Sequence, residues 1–128
     1  MQFRYTILYV DDVAETAAFF AKAFGIAVKM VHESSDYAEL DTGATRLAFT
    51  AKRLMKQFGK SPGQADPHKP LFEIAFETDD VERAVQMAVA AGATVLKEPS
   101  AMDWGQTVAF VTEKNGFLIE ICTPVAQS

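Results

Sequence analysis

Glu120 interrupts Phe117-Leu118-Ile119-Glu120-Ile121-Cys122, a run otherwise suited to a buried strand. A carboxylate in such a place needs a cation, a hydrogen-bond donor or a proton, because an uncompensated buried charge is strongly disfavoured. Glu73 and Glu77 punctuate a second strand-like run, Glu73-Ile74-Ala75-Phe76-Glu77. Around these acids the chain offers Tyr5, Tyr9 and Trp104, side chains with a flat apolar body and a polar tip that suit contact with a small molecule. Other chemistries lack their parts. The two histidines, His32 and His68, fall at a strand end and in a Pro-rich connection, with no nearby acid at metal-ligand spacing. The single cysteine, Cys122, has no histidine to activate it and reads as a small buried hydrophobe. The glycines fall singly at turns, so no phosphate-cradling loop is present.

These residues are carried by a unit written twice. Tyr5-Thr6-Ile7-Leu8-Tyr9-Val10-Asp11-Asp12-Val13 resembles Glu73-Ile74-Ala75-Phe76-Glu77-Thr78-Asp79-Asp80-Val81: an apolar strand, Asp-Asp-Val, then a helix. Asp12 is placed to cap the first helix with Glu15 three residues on. Val13, Ala17, Phe20 and Phe24 recur on one face, and Gly25 is placed as the stop. The second helix has Asp79 or Asp80 as cap, Val81, Val85 and Ala88 as its stripe, and Gly92 as its end. Three strands are expected after each helix, at 26–33, 36–42 and 45–51, then at 93–97, 107–112 and 116–123. Asn115-Gly116 supplies the tight turn before the last, and Gly43 holds the matching place in the first copy.

The organisation is therefore one domain over 1–128, with a βαβββ unit at 1–51, a linker at 52–70 and a second unit at 71–123. The fold class is α+β, with two curved mixed sheets that can close face to face into a cup. Alternation turns Thr6, Leu8 and Val10, with Phe72, Ile74 and Phe76, toward the helices. Tyr5, Ile7 and Tyr9, with Glu73, Ala75 and Glu77, then line the opposite face. Ala109 and Phe110 compete for the inward position on their strand.

Composition narrows the class. Of 128 residues, 49% are hydrophobic and 23% charged, which describes a soluble globular chain able to bury a core without disulfides. No apolar run is long enough for a membrane span. One cysteine and a strand-like N-terminus in place of a signal peptide lead to an expected cytoplasmic location. The net charge of −5 disfavours nucleic acid, and Lys52-Arg53-Leu54-Met55-Lys56 reads as the solvated face of a short amphipathic segment.

The duplicated unit, Asp-Asp-Val after each first strand, the late Trp104-Gly105 and the closing Asn115-Gly116-Phe117-Leu118-Ile119-Glu120 together resemble the vicinal oxygen chelate superfamily. That superfamily includes glyoxalase I, extradiol dioxygenases, fosfomycin-modifying enzymes and bleomycin-resistance proteins, and the resemblance spans essentially the whole chain. It implies four inward positions that hold a metal in the metalloenzymes, on the first and last strand of each unit. Here they fall on Tyr5, Ala48, Glu73 and Glu120. Glu120 fits the pattern and Glu73 stands where histidine is common. Ala48 has no donor atom, and the neutral phenol of Tyr5 is a poor ligand near pH 7.

If the cup closes as the resemblance implies, Glu73 and Glu120 approach each other. Two such acids do not both remain ionised unpaired; one takes a proton or both share a cation. Arg46, two residues before Ala48 on the same face, is a candidate partner, and an internal Glu–Arg arrangement needs no ligand. The leading expectation is a metal-free glyoxalase/bleomycin-resistance-type homodimer that sequesters a small, partly aromatic, antibiotic-like molecule and needs no cofactor. Tyr5, Tyr9, Arg46, Glu73, Trp104 and Glu120 are its expected ligand contacts. The alternatives are a lyase, isomerase or dioxygenase using a divalent metal on Glu73 and Glu120, and metal-free proton transfer by a Glu of raised pKa.

Overall fold

The computed structural model of the chain describes residues 1–125. It comprises two compact units, the first running from Met1 to Gly63 and the second beginning at Gln64. The first contains strand β1 (Tyr5–Val10), helix α1 (Val13–Phe24), strands β2 (Val28–Val31), β3 (Tyr37–Leu40) and β4 (Arg46–Ala51), and the short helix α2 (Lys52–Gln57). The second contains β5 (Ile74–Glu77), α3 (Val81–Ala90), β6 (Thr94–Ala101), β7 (Thr107–Thr112) and β8 (Leu118–Cys122). The strand orders are β1-β4-β3-β2 and β5-β8-β7-β6, each four-stranded and mixed. β1 runs parallel to β4 and β5 to β8, and the remaining neighbours are antiparallel. The βαβββ unit is thus present twice, as the internal repeat requires.

Helix boundaries follow the expected chemistry. An Asp12 carboxylate oxygen accepts from the Glu15 N–H at 3.0 Å, and Gly25 closes α1 in the left-handed region at φ 67°. In α3 the cap is Asp80, which accepts from the Arg83 N–H at 3.1 Å. Losing a side-chain N-cap typically costs about 1 kcal/mol. We expect Asp12→Ala to destabilise the protein by about that amount and Asp12→Asn by much less, read from denaturant midpoints at unchanged slope.

The helix stripes bury against one face of each sheet. In the first unit Phe20 is fully buried, with its ring 5.1 Å from that of Phe49, among Leu8, Val10, Ala17 and Leu40. In the second, Val81, Val85 and Ala88 meet the face that carries Ala109, Val111, Ile119 and Ile121. The opposite face of β1 is open: Tyr5, Ile7 and Tyr9 are 46%, 43% and 42% exposed, while Leu8 and Val10 are buried. The alternation read from sequence holds on β1 and β5 alike.

Two elements differ from expectation. The segment read as the start of the linker forms α2, whose residues are not buried. Its charges are engaged locally, Lys52 with Asp11 at 3.6 Å and Arg53 with Asp36. β6 runs on through Pro99 to Ala101 instead of stopping at 97, because it is the edge strand and its register shifts twice between Val95 and Ser100. An edge strand with bulges tolerates a residue without an N–H.

The β7–β8 turn is tied down. Buried Glu113 accepts from the Asn115 backbone N–H at 2.7 Å and from Asn115 Nδ2 at 2.8 Å. Burial pushes the Glu113 pKa up, against the pull of these hydrogen bonds. Gln64 Nε2 donates to the Asn115 carbonyl at 2.7 Å, fixing the start of the second unit's chain onto the turn.

Candidate functional site

Strand register builds the open face of the first sheet in rows. Tyr5 lies opposite Arg46; Ile7 opposite Ala48, which in turn faces Glu39; and Tyr9 opposite Thr50, which faces Tyr37. Glu39 is the centre of a polar cluster on this face. One carboxylate oxygen accepts from Arg46 Nη1 at 2.9 Å and the other from the Tyr37 hydroxyl at 2.9 Å. The Arg46 and Glu39 side chains are 26% and 12% exposed, so water screens the pair only in part.

The electrostatics agree with the geometry. The Arg46 hydrogen bond holds the Glu39 carboxyl below its usual range, and Glu39 in return raises Arg46. Burial, and then the hydrogen bond to Glu39, push the Tyr37 phenol up to about 12. We expect alkaline difference spectra of this three-tyrosine protein to contain a phenolate step near pH 12 that Tyr37→Phe removes and Glu39→Gln moves down. The sign for stability follows: Tyr37 titrates higher in the folded state, so its contribution is intact below the unfolded value of about 10 and falls away as pH rises toward about 12.

Arg46 therefore pairs with an acid that sequence analysis did not weigh. Tyr37 and Glu39 alternate with buried Ala38 and Leu40, a signal that puts them on the open face. Which residue they meet depends on the β3–β4 register, which alternation does not supply. Arg46 Nε is buried and has no hydrogen-bond partner among the described residues.

In the second sheet Ala75 is opposite Glu120, as Ile7 is opposite Ala48 in the first, so Ala48 and Glu120 are repeat equivalents. Phe110 faces Glu120 across β7–β8, which settles the inward position in favour of Phe110; Ala109 is buried on the helix side. Glu73 precedes β5, and its pKa is raised, first by desolvation and then by the Glu120 charge. The two acids are thus close enough to interact. Cys122 shares the face, its Sγ lies 3.7 Å from the Phe76 carbonyl, and burial pushes its thiol up to about 11. A thiol protonated at neutral pH is not a nucleophile.

Replacing Glu120 with Leu removes a partly buried acid from an apolar strand and the charge that raises Glu73. We expect Glu120→Leu to leave the melting temperature unchanged or higher. The Glu73 carboxyl should titrate lower than in the parent by carbon-detected NMR, though still above the usual range because burial remains.

Trp104 sits in the β6–β7 turn and is 61% exposed. Its indole Nε1 donates to Gln106 Oε1 at 2.6 Å, and Gln106 Nε2 donates to the Thr123 carbonyl at 2.7 Å. The ring is therefore oriented by a relay anchored just beyond β8 while remaining open to solvent.

The residues fit a chelated metal poorly. Among the described residues no group of three His, Cys, Asp or Glu side chains could hold an ion. The four positions that the resemblance marks as metal-holding carry a phenol, a methyl group and two carboxylates, Tyr5, Ala48, Glu73 and Glu120.

Comparison with known proteins agrees with this fold. The family model for the Glyoxalase/Bleomycin resistance protein/Dioxygenase superfamily matches residues 2–121. A glyoxalase/bleomycin resistance protein/dioxygenase family enzyme from Burkholderia phytofirmans PsJN is similar at 25% identity and TM-score 0.80, covering 98% of this chain and 100% of its own. A glyoxalase-related enzyme from Fulvimarina pelagi shares the fold at 20% identity and TM-score 0.83, over 97% of this chain and 88% of its own. No curated protein matches the chain. With the repeat, the two sheet topologies and a family match over nearly the whole length, the chain belongs to the glyoxalase/bleomycin resistance protein/dioxygenase superfamily.

Proposed function

We propose that this protein is a metal-free, small-molecule-binding member of its superfamily that sequesters a partly aromatic compound, acting as a cytoplasmic homodimer. The observation that carries the reading is the donor set: Ala48, the repeat equivalent of Glu120, brings no ligand atom to the position where the metalloenzymes need one. Exposed aromatic surface supports it, with Tyr5 and Tyr9 on the first open face and Trp104 held by its hydrogen-bond relay. On the first unit Tyr5 and Tyr9 offer aromatic contact and Arg46 a donor; on the second Trp104 offers aromatic contact, and Glu73 and Glu120 accept hydrogen bonds or face positive charge.

Trp104 is the only tryptophan, so its fluorescence is an unshared reporter. Titration with a panel of polycyclic aromatic and cationic compounds is expected to give saturable changes at one ligand per chain. Flat titrations across the panel would reject the reading. Light scattering at micromolar concentration is expected to give twice the 14.0 kDa chain mass.

A second reading is metal-free proton transfer with Glu73 as base, supported by its raised pKa beside Glu120. It requires a turnover rate that rises with deprotonation of Glu73 and disappears in Glu73→Gln.

A further inference from the structure

Among the described strands β2 alone has every residue exposed, although Val28, Met30 and Val31 are large and apolar. Val28 and Val31 lie opposite Leu40 and Ala38, which are fully buried on the helix side of the sheet. The apolar layer beneath the first sheet therefore runs out uncovered at β2. This strand is also an edge, with β3 on one side and no neighbour among the described residues on the other. The phase of its ladder shows which backbone groups face outward. The His32 N–H donates to the Tyr37 carbonyl at 2.8 Å, so His32 and, two residues earlier, Met30 turn their backbone groups toward β3. The N–H and C=O of Lys29 and Val31 then point away from the sheet. An apolar edge of this kind is a template for pairing with another strand.

Charge selects a second copy of the chain as that partner. In an antiparallel pairing about a two-fold axis at Val31, the two Val31 residues exchange both backbone hydrogen bonds. Residues two before and two after the axis then oppose each other, which sets Lys29 against Glu33 of the second copy, twice by symmetry. Both side chains are exposed, Lys29 on β2 and Glu33 in the turn just after it. An axis at Lys29 would oppose like charges, and one at Met30 would set each Lys29 against Val31 with no acid directly across. We propose, resting on the homodimer reading above, that β2 is the dimer interface. Two copies pair β2 antiparallel through Val31, joining their four-stranded first sheets into one continuous sheet with a Lys29–Glu33 contact on each side of the axis.

Sedimentation equilibrium of the full chain across micromolar concentrations reads the dimer constant. Lys29→Glu and Glu33→Lys each place like charges together at two symmetric points, and each is expected to weaken dimerisation about tenfold or more. An equimolar mixture of the two variants should associate as tightly as the parent, because the introduced acid of one meets the introduced base of the other and the native pair meets across the axis. The double variant Lys29→Glu/Glu33→Lys should also dimerise like the parent. A chain that had merely misfolded would not be rescued by mixing. Val31→Pro removes an outward N–H and leaves the ladder to β3 intact, so it should dissociate the dimer with an unchanged far-UV circular dichroism spectrum.

A dimer constant unmoved by both charge variants and by Val31→Pro would overturn this interface and leave the homodimer reading standing. Weakening by the single variants without recovery in the mixture would overturn the register through Val31. A parent chain that stays monomeric across the range would end both, whatever else pairs with β2, while the Trp104 panel judges ligand binding separately.

Discussion

Phe20→Ala should destabilise the protein by about 3–5 kcal/mol, the range for emptying an aromatic site in a packed core. Phe20 is 0% exposed, and its ring packs 5.1 Å from Phe49, 5.5 Å from Phe24 and 5.4 Å from Phe19. Its neighbours on α1 and β4 are fixed by backbone hydrogen bonds, so the cavity collapses only in part and dispersion contacts are lost with the transfer energy. At roughly 4 °C per kcal/mol for a chain of this length, the midpoint should fall by more than 10 °C. Phe20→Leu, which keeps most of the volume, should lose a small part of that. Chemical denaturation with an unchanged slope checks both. A near-neutral Phe20→Ala would mean that the face of α1 has been misassigned.

Gly116→Ala should be the second most damaging single change, at about 3 kcal/mol or more, for two independent reasons. Gly116 has φ 88°, where any Cβ is strained by roughly 1–2 kcal/mol. A Cβ there would also lie 2.3 Å from the Ala65 backbone oxygen, which cannot swing aside as a side-chain tip could. The change therefore separates the Gln64–Ala65 segment from the turn and strains the Gln64–Asn115 hydrogen bond. Gly25→Ala is the internal control. It shares the positive φ, at 67°, but nothing lies within 4 Å of the place its Cβ would take, so only the conformational cost of about 1 kcal/mol should appear. Equal losses at the two glycines would remove the contact from the explanation.

The contrast between these glycines also shows what sequence carries. Local rules were enough for Asp12 and Gly25 and narrowed the second cap to Asp79 or Asp80, because a cap or a stop is decided within one turn of helix; the structure selects Asp80. The two-residue period was enough to assign Leu8 and Val10 to the core and Tyr5, Ile7 and Tyr9 to the open face. Asn115-Gly116 was legible as a turn, whereas its contact with Ala65, some fifty residues earlier, was not. The expected end of β6 at 97 falls short of Ala101, since no local feature says that a strand will be an edge able to run through Pro99. The same limit hid the cluster on β3 and β4. Tyr37 and Glu39 have the right alternation, but only the register that sets Glu39 opposite Ala48 brings its carboxylate to Arg46 two residues away. Pairing between strands is a long-range property, and the sequence holds it only through the repeat.

That repeat frames the functional proposal. The first- and last-strand pairings are equivalent in the two units, with Ile7 opposite Ala48 and Ala75 opposite Glu120, while the residues at them differ. Glu120 and Glu73 carry carboxylates; Ala48 and Tyr5 do not. The first sheet carries a hydrogen-bonded Tyr37–Glu39–Arg46 cluster beside exposed tyrosines.

The most direct test is calorimetric titration of chelator-stripped protein with Mn²⁺, Ni²⁺, Zn²⁺ and Fe²⁺ under anaerobic conditions. The proposal predicts no stoichiometric uptake of any of the four and the same Trp104 ligand titration with or without them. One equivalent of tightly held ion per chain, lost in Glu120→Gln, would contradict it and favour a metal-dependent lyase, isomerase or dioxygenase.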